Sequence, residues 1–84
     1  MDYQAFVNMS DEQIKKMDDT ALAESFTRAL LLHQKANVSR EFSVFRYREQ
    51  AAALYNKLDA EIKQRGKVWQ VPFYGRPYLE PAPK

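Results

Sequence analysis

His33 is the only histidine of this 84-residue chain and there is no cysteine, so imidazole chemistry rests on one ring and thiol chemistry is excluded. His33 falls on the apolar stripe of a helical segment, where a hydrogen-bonded structural histidine is expected rather than a general base. Asp18-Asp19 with Glu12 could gather a hard cation, but helix capping explains the acidic pair at lower cost. Two isolated glycines cannot build a phosphate-cradling loop. Paired carboxylates at productive spacing are not visible, and a helical hairpin this small has little concavity for a substrate. The expectation is a non-enzymatic protein with no catalytic residue, cofactor, metal or small-molecule substrate.

Cations offer the other chemistry. Arg40, Arg46, Arg48, Lys57, Lys63, Arg65 and Lys67 lie on or just after one helical segment, and Arg46-Tyr47-Arg48 interleaves an aromatic ring with two guanidinium groups, a composition suited to phosphate contact. At 100° per residue from Ser43, however, Arg46 projects near about 300°, Arg48 near about 140° and Lys63 near about 200°. Glu41, Glu49, Asp59 and Glu61 stand between them, the pattern of a solvated surface. Phosphate contact without base readout through Arg40, Arg46, Arg48, Lys63, Arg65 and Lys67, as in a nucleic-acid or ribonucleoprotein accessory factor, is the alternative reading. The net charge of +2 divides into −4 over residues 1–24 and +6 over residues 25–84. That is the arrangement helix dipoles prefer, and also one that attracts an anionic partner.

The elements that must position these groups are set by where glycine and proline fall. Residues 1–65 contain neither; both glycines and all four prolines lie from Gly66 onward. A stretch so long without breakers, rich in Ala, Leu, Glu, Lys, Gln and Arg, favours long helices. Ser10-Asp11-Glu12-Gln13 is a capping box, predicting a short helix at about residues 11–17. Asp18, Asp19 or Thr20 can cap a second at about 20–36, with Leu22, Phe26, Ala29, Leu30, His33 and Ala36 on its buried face. Asn37 or Ser39 can cap a third at about 39–65, ending where Gly66 offers a left-handed position. Val44, Tyr47, Ala51, Leu54 and Leu58 form its heptad seam, widened by Tyr55 and Ile62.

The expected fold is all-α: a short N-terminal helix and an antiparallel αα-hairpin over residues 1–66, then an extended, Pro- and aromatic-rich tail over 67–84. A core of this size supplies little net stability and has no disulfide to help it. Something must cover the apolar residues left over. Leu31 and Leu32 point away from the His33 stripe and Phe42 and Phe45 away from the seam, giving a second apolar face that a partner, a second copy, or the chain's own Tyr3, Phe6, Val7 and Met9 or its tail could hide. In the tail, Trp69, Phe73, Tyr74 and Tyr78 are candidate anchors, with Gly75 suited to a turn and prolines lowering the entropic cost of docking. The residues expected to bind a protein partner, or another copy in a homo-oligomer, are therefore Leu31, Leu32, Phe42, Phe45, Trp69, Phe73, Tyr74 and Tyr78.

Over 18–65 the acidic capped start, paired helices and basic end resemble in outline the small helical-hairpin protein of the bacterial large ribosomal subunit. That family is far more basic and has no aromatic tail, so no function is carried over. A small cysteine-free helical chain with a clinging tail is also similar in general appearance to phage or mobile-element accessory proteins, which implies a host-factor inhibitor or minor virion component. No window approaches the roughly 20 apolar residues of a membrane span, and the N-terminal residues have no basic leader. A cytoplasmic location is expected, in the host or the virion were the chain viral.

Overall fold

Ser10 begins the first well-capped helix. Its hydroxyl accepts from the Gln13 backbone N–H at 3.2 Å, and the Gln13 side chain accepts from the Ser10 N–H at 2.9 Å, so the capping box of the sequence forms in full. The computed structural model describes residues 3–38 and 45–83. Within them the order is α1 (Tyr3–Val7), α2 (Asp11–Lys16), α3 (Asp19–Val38), α4 (Arg48–Gln64), β1 (Lys67–Gln70) and β2 (Tyr78–Pro81). Asp18 caps α3, its Oδ1 accepting from the Ala21 N–H at 2.7 Å.

The two long helices meet along most of the predicted faces, although Leu30 and His33 are only half-buried and Leu32 is buried in their stead. Leu22, Phe26 and Ala29 of α3 are buried with Leu54, Leu58 and Ile62 of α4 and Ile14 of α2, in a core where each fully buried leucine contributes roughly 1.5–3 kcal/mol relative to exposure. A second cluster joins Val7, Leu32, Ala36, Tyr47 and Ala51, with Phe6 packed against both. The N-terminal residues expected only as a possible cover thus form a helix of their own and close one end of the hairpin.

One helix boundary differs from expectation by more than two residues. Helix α4 begins at Arg48, not residue 39, after a turn at Arg46 and Tyr47. Tyr47 has φ −92° and ψ 4° and makes no side-chain cap; its ring is buried in the second cluster, and that packing holds the turn. Val44 and the proposed cap Ser39 lie outside the described residues.

The all-α expectation is overturned by the tail. Residues 67–81 are not an unpaired extended strip but an antiparallel β-hairpin, with Lys67 opposite Pro81, Val68 opposite Glu80, Trp69 opposite Leu79 and Gln70 opposite Tyr78. Gly66, at φ 69°, turns the chain out of α4: its N–H bonds to the Lys63 carbonyl at 3.0 Å, and its own carbonyl accepts from the Ala82 N–H at 2.9 Å. That last bond sets the alternation of the ladder, which leaves the nitrogen of Pro81 on the outer edge where its missing N–H costs nothing. Opposite partners share a face, so Trp69 and Leu79 point inward together and pack on the core. Gln70 and Glu80 bond across the other face at 2.8 Å. Among the described residues no helix is long and apolar enough to cross a membrane.

Candidate protein-binding tip and its cleft

The base of the hairpin is built into the body. Trp69 meets the Phe26 ring edge-on at 5.0 Å while Tyr55 stacks on Phe26 from elsewhere at 4.8 Å. The Trp69 indole N–H donates to the Thr27 hydroxyl at 2.9 Å, and that hydroxyl donates to the Ala23 carbonyl at 2.9 Å. The indole N–H that the sheet brings to the helix face and the Thr27 hydroxyl of α3 are therefore both satisfied.

The seven-residue connection between the strands behaves differently. Gly75, at φ 110°, allows a bend that a side chain would oppose. At this tip Phe73 is 91% exposed and Tyr74 85% exposed, their rings in edge-to-face contact at 4.9 Å. Val71 is also exposed. Below the tip, Arg76 and Pro77 face Glu24, Thr27 and Arg28 of α3 across an open cleft of about 350 Å³. Arg76 Nη1 stands 3.6 Å from Glu24 Oε1. Leu31, 58% exposed, lies one helical turn beyond Arg28 on the same side of α3.

The eight residues read as partner-binding divide accordingly. Phe73, Tyr74 and Tyr78 are exposed on the hairpin, whereas Trp69 is packed into the chain's own core. Leu31 is exposed, but Leu32 is only 5% exposed and belongs to the cluster of Val7 and Tyr47, so it contributes to no open face. Phe45 is partly covered by the Arg48 guanidinium, 4.8 Å above its ring. Phe42 lies outside the described residues. Reading by residue type missed the cleft arginines, Arg28 and Arg76, because they are separated in sequence and meet only through the hairpin.

Most of the cations suggested for phosphate contact are occupied. Arg65 donates from Nε to Glu61 at 2.8 Å, from Nη1 to Asp19 at 3.0 Å, and from Nη2 to the carbonyls of Ile14 at 3.3 Å and Lys15 at 3.2 Å. The Glu61 hydrogen bond, reinforced by Asp19, holds its pKa above the usual range despite lost hydration. Lys63 pairs with Asp59 at 2.9 Å, and Lys67 lies 3.9 Å from Asp19. Arg46 donates to the Tyr47 hydroxyl at 2.7 Å and also lies over that ring. Arg40 is outside the described residues. His33 Nε2 sits 3.3 Å from Asn37 Nδ2, and its buried Nδ1 has no partner among the described residues. Among those residues no three His, Cys, Asp or Glu groups converge as metal ligands. No protein-family model, curated protein or solved structure matches the chain.

Proposed function

We propose that this chain is a non-enzymatic protein-protein interaction module that engages its partner with the tip of the C-terminal hairpin. The observation that carries this reading is the contrast within one hairpin: Trp69 and Leu79 are packed on the core, while Phe73 and Tyr74 stand almost fully in water. Exposed aromatic pairs on an anchored support are a costly use of apolar surface unless something docks there. Large rings with few rotatable bonds are also the side chains that dominate binding energy at interfaces. The phosphate-binding alternative draws less support, since Arg65, Lys63 and Arg46 have partners within the chain.

The test compares the full chain with a Phe73→Ala, Tyr74→Ala double variant. Because neither ring supports the core, the two proteins should melt within about 2 °C of each other. The variant should lose the partner that the tagged wild-type chain retains from the cells that make it. An unchanged set of retained proteins would overturn the reading.

A further inference from the structure

We propose that the cleft beneath the tip binds an acidic peptide segment of a partner protein, its carboxylate held by Arg28 and Arg76 and its neighbouring apolar side chain laid on Phe73 and Tyr74. This rests on the interaction reading above and adds the chemistry of the partner. The cleft is lined by Glu24, Thr27, Arg28, Arg76 and Pro77, so two guanidinium groups share it with one carboxylate. Arg28 makes no ion pair among the described residues. Among the described residues Arg76 has only the exposed contact to Glu24 at 3.6 Å, a pairing that contributes little in water and is easily exchanged. The Thr27 hydroxyl is committed on both sides, to Trp69 and to Ala23, which leaves the arginines as the groups with capacity for a ligand. Their planar forks suit a carboxylate. Pro77 stiffens one wall, and the exposed rings of Phe73 and Tyr74 stand two to three residues before Arg76 in the same connection.

Charge complementarity favours an acidic occupant, since the two guanidinium groups of the cleft outnumber its one carboxylate. Among the acids a second copy would offer, Asp18 and Asp19 are engaged within the chain, as the α3 cap and with Arg65, which leaves fewer to fill the cleft. Stacked bases fit less well. Phe73 and Tyr74 are at 84° to each other and do not offer two parallel faces to consecutive bases.

The experiment titrates the full chain against a short labelled peptide of alternating glutamate and leucine, the same peptide with glutamine in place of glutamate, and labelled oligothymidine, following anisotropy. Saturable binding of the acidic peptide is expected, weakening as salt rises. Affinity should fall about tenfold in Arg28→Gln and in Arg76→Gln, with melting curves unchanged because both side chains are at the surface. Equal binding of the glutamine peptide, unchanged affinity in both arginine variants, tighter binding of the oligonucleotide, or no saturation by any probe up to about 1 mM would overturn the proposal. If the tip variant still loses its cellular partner while the acidic peptide fails to bind, the interaction reading stands and this inference falls.

Discussion

Arg65 joins three helices through one guanidinium. Its fork reaches Glu61 on its own helix, Asp19 at the start of α3, and the last carbonyls of α2, so a single side chain both neutralises two acids and caps a helix end. Its side chain is only 19% exposed, which separates it from the surface pairs whose net worth is small. Replacing Arg65 with Ala removes the donor to Glu61 and to the Lys15 carbonyl, while the Ile14 carbonyl keeps the Met17 N–H. The expected cost is about 2–4 kcal/mol, read as a lower urea midpoint with an unchanged slope. Lysine, a point charge without the fork, should recover less than half of the loss. At this scale the sequence misleads: Arg65 looks like part of a basic helix end, and its partners at positions 14, 15 and 19 come close only when three helices pack.

The elements divide by whether their signals are local. The capping box, the heptad seam from Tyr47 to Ile62 and the left-handed Gly66 follow from side chains a few residues apart and were legible, whereas Asp18 was one of three possible caps, with Asp19 and Thr20, and the structure selects it. An added Cβ at Gly66 would meet nothing within 4 Å, so Gly66→Ala isolates the cost of holding an L-residue at φ 69°. That cost should be about 1 kcal/mol, seen as a fall of roughly 4–8 °C in melting temperature, and a fall of the same size is not expected for exposed alanine substitutions at the tip. The strands were not legible. Each is four residues long with prolines close by, and their pairing is stabilised by Trp69 and Leu79 landing on Phe26 and its neighbours, a contact some forty residues distant in sequence. The start of α4 is similar, marked by no glycine or proline and set by burial of Tyr47 against α1 and α3. Aromatic residue type alone could name Trp69, Phe73 and Tyr74 together; only the fold separates the one that anchors from the two that project.

The whole molecule resolves the difficulty of an 84-residue chain without disulfides by folding its own tail over the helix pair. Trp69 and Leu79 extend the core of α2, α3 and α4, α1 closes the other cluster, and the strands hold a rigid mount from which the aromatic tip projects. Under the proposed function, a mount of this kind would lower the entropy lost when a partner docks on the tip. It also makes the hairpin part of one cooperative unit rather than a separable arm. Trp69 is the only tryptophan and sits in the hairpin base, so its fluorescence reports the strands while far-ultraviolet circular dichroism reports the helices. Thermal unfolding of the full chain followed by both signals tests this most directly. A single shared transition, with midpoints agreeing within about 2 °C, is expected; loss of the Trp69 signal well before the helical signal would contradict it, because the hairpin would then be a loosely attached tail.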